Sequence, residues 1–157
     1  LAMTGHEGDA RVAATRALEG GAATAKFAEM TALLGGPADF IENMDRYLPT
    51  APIVRDVLPE GQGTVTAIDT RAVGMAVVAL GGGRRVPSDT IDHAVGFDRL
   101  AGLGAPVGRD APLARVHARD KAAADEAERR LRAAYSLGDS APVHPLIVER
   151  IGPEKTH

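Results

Sequence analysis

The chain has 157 residues, 45% of them apolar, with 18 basic and 21 acidic residues for a formal charge of -3, and it contains neither cysteine nor tryptophan. That length holds one domain, or one small domain with a piece of another, and the apolar share is enough to bury a core. The charges are interspersed with no long single-sign block, which argues against nucleic acid or an anionic membrane as a partner, and the missing cysteines exclude disulfides, thiolate nucleophiles and Cys-based zinc sites and suit the cytoplasm.

The apolar run Ala76 to Leu80 is far below the roughly 20 residues that span a bilayer. The start has neither a basic n-region nor an apolar h-region. Leu1 comes first and Met3 leads into a polar stretch, so the numbering is expected to begin inside a longer polypeptide.

From Asp9 to Leu34 the chain is Ala-rich, with Gly20-Gly21 and Gly35-Gly36 where helices would end, which predicts two helices. In the second, Phe27, Met30 and Leu34 recur at helical spacing while Lys26 and Glu29 face water. Pro37 suits the first turn of a third helix, with Phe40, Ile41, Met44 and Leu48 on one face and Pro49 as its stop. Thr50 to Gly63 holds Pro52, Pro59, Gly61 and Gly63, a composition that breaks helix and strand alike. The expected division is therefore a helical part over 1–50, a linker over 51–63, a second domain over 64–152 and a tail over 153–157.

Thr64-Val65-Thr66-Ala67-Ile68 alternates polar and apolar residues, as a half-buried strand does. Asp69 or Thr70 can then cap a helix with Val73, Val77 and Leu80 on one stripe, ended by Gly81-Gly82-Gly83. Beyond Pro87, closely spaced Gly and Pro residues predict short, tightly connected strands, the clearest being Leu113 to His117. Asp120 looks like the cap of a last helix with Ala127, Leu131 and Ala134 inward. On that helix Asp125 and Arg129, Glu126 and Arg130, and Glu128 and Arg132 form acid-first pairs four apart. Leu146-Ile147-Val148 reads as a closing strand.

Little in this chain offers direct chemistry. His6, His93, His117, His144 and His157 never fall into a metal-ligand spacing. Ser88, Ser136 and Ser140 are not in a nucleophile elbow, and Asp89 and Asp92 sit in polar surroundings that would not raise a carboxyl pKa. The segment that invites a functional reading is Gly81-Gly82-Gly83-Arg84-Arg85. Triple glycine admits close backbone approach and two guanidinium groups can grip a phosphate, but a helix end with solvated arginines explains the same residues. No P-loop is present, and Gly61-Gln62-Gly63 lacks the third glycine of a dinucleotide fingerprint.

The run from Asp69 through Arg85, continuing Ser88-Asp89-Thr90-Ile91-Asp92-His93-Ala94-Val95-Gly96-Phe97, resembles the C-terminal region of bacterial thymidine phosphorylases. Gly36 to Asn43, Tyr47 to Ala51 and Pro112 to Ala118 also look like that family. The resemblance implies a homodimeric, cytoplasmic parent enzyme that converts thymidine and phosphate to thymine and 2-deoxy-ribose 1-phosphate. Phosphate is a co-substrate there and no cofactor is implied.

The family's phosphate- and base-binding motifs have no match in this chain, so the resemblance assigns it no catalytic and no substrate-binding residue; thymidine and phosphate would bind in the preceding part of the same polypeptide. The resemblance further implies an α+β fold, in which residues 1–50 end the main α/β domain and an α/β-hammerhead related to barrel-sandwich hybrids follows. Isolated from that domain, the first part should expose apolar surface. Gly81, Gly82, Gly83, Arg84, Arg85 and Ser88 become candidates for a loop that orders on cleft closure. A broader pyrimidine-nucleoside or nucleotide phosphorylase is an alternative, as is a stand-alone barrel-sandwich module. The latter needs a lysine on a hairpin tip, and the only lysines are Lys26, Lys121 and Lys155.

Overall fold

The computed structural model describes residues 10–142 together with Pro145 and Glu149. The closing strand expected at Leu146-Ile147-Val148, the tail, His6, His144, His157 and Lys155 lie outside the described residues. Two compact units divide between Pro49 and Thr50.

In the first unit, α1 (Ala10–Glu19) and α2 (Ala22–Leu33) form where the Ala-rich sequence favours helix, separated at Gly21, whose φ of 81° only glycine adopts freely. The third helix is much shorter than the spacing predicts: turns run up to Asn43 and only α3 (Met44–Tyr47) is helical. The break falls at Asn43, beside a set of side-chain bonds to Asp39. Asp39 accepts hydrogen bonds from Asn43 Nδ2 at 2.8 Å and from the Tyr47 hydroxyl at 2.7 Å, and Asn43 leaves helical backbone at φ -129°. Phe40 lies between the rings of Phe27 and Tyr47, with centroids 6.3 and 6.4 Å away. No residue of the three helices is buried, and Leu33 and Leu34 are 80% and 86% exposed.

The second unit is α+β, built on two antiparallel three-stranded sheets. One has the order β1 (Ile53–Val57), β5 (Ala114–Ala118), β3 (Gly96–Asp98). The other runs β4 (Pro106–Val107), β2 (Gly63–Ile68), β6 (Tyr135–Gly138). Residues 51–63 are thus not a linker. Ile53 pairs with Ala118 and Val57 with Ala114, so the expected linker supplies an edge strand. Pro52 precedes that strand and Pro59 follows it, where neither removes a ladder donor.

Strand β5 alternates strictly, burying Ala114, Val116 and Ala118. Strand β2 does not. Its pairing with β6 shifts between Val65 and Ala67, so Thr66 is an extra residue, and Val65 and Ile68 face the core while Ala67 is exposed. A β-bulge of this kind breaks the period of two.

Helices α4 (Thr70–Leu80) and α5 (Lys121–Ala134) pack on each other, and α5 also packs on β5 and β1. Their caps are Asp69, whose carboxylate accepts the Ala72 N–H at 2.9 Å, and Asp120, which accepts the Ala123 N–H at 2.8 Å. Ala124, Ala127, Leu131 and Ala134 recur every three or four residues and are all buried, and with Val57, Val65, Leu113 and Val116 they make the core. The small alanines let the helix backbone approach the sheet.

Along α5, Glu126–Arg130 and Glu128–Arg132 form at 2.6 and 2.9 Å. The third expected pair does not: Asp125 takes Lys121 and Arg55 of β1, and Arg129 turns to Glu126.

Candidate functional site

The glycine run after α4 is accounted for by how the helix ends. Gly81 has φ 98°, the left-handed C-cap conformation, and the Gly81 and Gly82 N–H groups donate to Val78 O and Val77 O. A Cβ on Gly82 would lie 2.8 Å from Val77 Cγ1 and 3.1 Å from Val95 O, and one on Gly83 would lie 2.8 Å from Val78 Cγ2. These glycines therefore let the chain fold back against its own helix. Arg84, Arg85 and Ser88 follow on the exposed part of the loop, and among the described residues neither arginine makes a salt bridge.

Two carboxylates shape this loop, in roles the sequence reading did not assign. Asp89 Oδ2 accepts the backbone N–H groups of Arg85 at 2.9 Å and Val86 at 3.2 Å, and these bonds hold its carboxyl below the ordinary value. The Asp92 N–H closes the loop by donating to Gly81 O at 2.9 Å. Its carboxylate receives Arg119 Nε at 2.6 Å and Nη2 at 2.7 Å, as well as the Ala94 N–H at 3.0 Å. The Arg119 fork, seconded by the Ala94 N–H, lowers Asp92 to about 2. Neither carboxyl is protonated at neutral pH, so neither can act as a general acid.

Because the folded value is depressed, the Asp92 contribution is full above its ordinary value of 3.8 and is lost as pH falls through about 2. A carboxyl 13C titration of Asp92 should give a midpoint near 2, returning toward 3.8 in Arg119→Ala.

A groove of 380 Å³ opens elsewhere in the unit, between Pro59-Glu60-Gly61, the end of α5 and the start of β6, with Leu113 and Tyr135 among its lining. Three of its polar side chains, Arg129, Arg132 and Tyr135, are already engaged. Arg132 Nε donates to Leu58 O at 2.7 Å and Nη2 to Glu128 Oε2 at 2.9 Å, Arg129 pairs with Glu126, and the Tyr135 hydroxyl donates to Ala101 O at 3.0 Å. Burial pushes the Tyr135 phenol above its ordinary value. These three groups are committed to structure.

His117 Nε2 lies 3.3 Å from Asp98 Oδ1 on the outer face of its sheet. Among the described residues no group of three or more His, Asp or Glu side chains could hold a metal ion, and no helix is long and apolar enough to cross a membrane. Lys121 opens α5 and pairs with Asp125, and Lys26 lies in α2, so neither is on a hairpin tip as a carrier module requires.

Residues 64–138 match the family model described as pyrimidine nucleoside phosphorylase C-terminal domain. Over these residues the chain is similar to that family. The matched segment runs from β2 to the end of β6 and contains the whole Gly81–Asp92 loop and its Arg119 anchor. Strand β1 lies before the match yet pairs with β5 inside it, so the matched segment folds here with a strand supplied from upstream.

Proposed function

We propose that this chain is the C-terminal part of a thymidine phosphorylase, whose full-length form catalyses thymidine + phosphate = thymine + 2-deoxy-α-D-ribose 1-phosphate in pyrimidine salvage. The observation that carries the proposal is the match to a phosphorylase C-terminal domain whose groove commits Arg129, Arg132 and Tyr135 to structural bonds. Such a domain braces a cleft; it does not make or break the glycosidic bond. Thymidine and phosphate bind in the preceding part of the polypeptide, and the parent is a cytoplasmic homodimer.

In this reading the second unit is an α/β-hammerhead related to barrel-sandwich hybrids. Residues 1–50 complete the main α/β domain, a role supported by the exposed Phe27, Met30, Leu33 and Leu34. Gly81 to Ser88 serve as the closure loop, for which Arg84 and Arg85, in no salt bridge among the described residues, are suited by their place on a glycine-shaped turn. They act by positioning and by excluding water.

Phosphate-dependent release of free base tests the proposal. The 157-residue chain should release no thymine, and the full-length parent should turn over thymidine and deoxyuridine well above uridine. Turnover by the chain alone at the parent's rate would sink the scaffold role. Equal turnover of uridine would replace the thymidine assignment with a broader pyrimidine-nucleoside phosphorylase.

A further inference from the structure

We infer that Arg119 is a positioning residue that anchors the stem of the Gly81–Asp92 loop to the point where the chain enters the second unit. Arg119 lies between β5 and the Asp120 cap of α5, so its backbone is set by the core sheet and its main helix. Its guanidinium reaches in two directions. Nε and Nη2 grip both oxygens of Asp92, and Nη1 donates to the carbonyl of Thr50 at 3.4 Å. Thr50 is the first residue of the unit.

Asp92 is itself the stem of the loop. Its N–H bonds Gly81 O, closing the loop at its base, and its Oδ1 accepts the Ala94 N–H, fixing the exit toward β3. One planar fork therefore ties a loop base to the first residue of the unit, and the two attachments lie far apart in sequence. A lysine could not do the same, since its single nitrogen lacks the planar fork that places parallel N–H donors on both carboxylate oxygens. The glycines at 82 and 83 set the path of the loop, and the anchor decides how firmly its base is held.

The use of this anchoring in catalysis rests on the closure role proposed above, but the anchoring itself is measurable without turnover. Native-state amide exchange on the 157-residue chain is the test. In Arg119→Ala, the Asp92 and Ala94 amides should exchange about fivefold faster or more, the range of a well-formed, half-exposed bidentate pair. Val116 and Ala127 amides should keep their rates. Arg119→Lys should also accelerate Asp92 and Ala94.

Unchanged Asp92 and Ala94 rates in Arg119→Ala overturn the inference, as does a lysine variant that matches the parent. Equal acceleration at Val116 and Ala127 also overturns it, because Arg119 would then support the whole fold and not the loop. Asp92→Asn, which keeps an acceptor for the Ala94 N–H, gives the same comparison at the Asp92 amide should the alanine variant not fold. Loss of the closure role in the full-length enzyme would leave these rates as they are, and unchanged rates would leave the closure role standing.

Discussion

Leu131→Ala is expected to destabilise the second unit by about 2–5 kcal/mol, read as a lowered urea midpoint by circular dichroism at 222 nm with the slope unchanged. Leu131 is fully buried on α5, in a cluster with Val57, Leu113 and Val116. The loss combines the transfer free energy of the removed carbons with the cavity they leave. How much of that cavity closes depends on the neighbours, and along the same helix face these are Ala124, Ala127 and Ala134. Alanine has no rotamer with which to reach into a void, so the value should fall toward the upper end. A shift below about 1 kcal/mol would mean that the α5–sheet packing described here is wrong. Leu34→Ala is the matching control: at 86% exposure it should change the stability of this chain by no more than about 0.5 kcal/mol. In a full-length parent whose upstream domain covers that face, the same change should be felt.

Gly82→Ala is expected to destabilise the unit by about 1–3 kcal/mol, measured in the same way. The new Cβ would meet Val77 Cγ1 at 2.8 Å and the carbonyl oxygen of Val95 at 3.1 Å. Val77 sits in a helix, where a β-branched side chain keeps essentially one χ1 rotamer, and a backbone carbonyl next to β3 cannot step aside alone. The loop base must therefore shift. Gly74→Ala in α4 isolates the cause, because nothing lies within 4 Å of its added Cβ. There the gain in helix propensity should stabilise by about 0.8–1.0 kcal/mol. Opposite signs for two Gly→Ala changes eight residues apart would show that close approach, and not glycine content, governs this segment.

Much of the second unit was legible in advance, and the legible parts share a physical trait. The caps at Asp69 and Asp120 involve groups three residues apart, and the inward face of α5 follows from helical periodicity, so a short window of sequence contains both partners. The readings that failed lacked that property. Ile53 to Val57 looked like a linker because Pro52, Pro59 and Gly61 dominate the window, while the strand that completes its ladder, Ala114–Ala118, lies far downstream. Likewise the register shift at Thr66 is imposed by β6, whose residues give no local sign of it. The third helix failed for a more local reason, since Asn43, inside the predicted helix, leaves helical backbone at φ -129°.

The candidate loop divides in the same way. Consecutive residues place Gly81 to Ser88 at the end of a helix, put two arginines within it, and carry the similarity to a phosphorylase C-terminal domain, because helix termination and a long contiguous motif are both local. What the glycines and carboxylates do there emerges only on folding. Gly82 and Gly83 are spent on contact with Val77 and Val78, and Asp92 is held by an arginine 27 residues away whose carbonyl partner, Thr50, opens the unit. Such contacts arise when strands and helices pack, so they depend on distances in space that no spacing along the chain encodes.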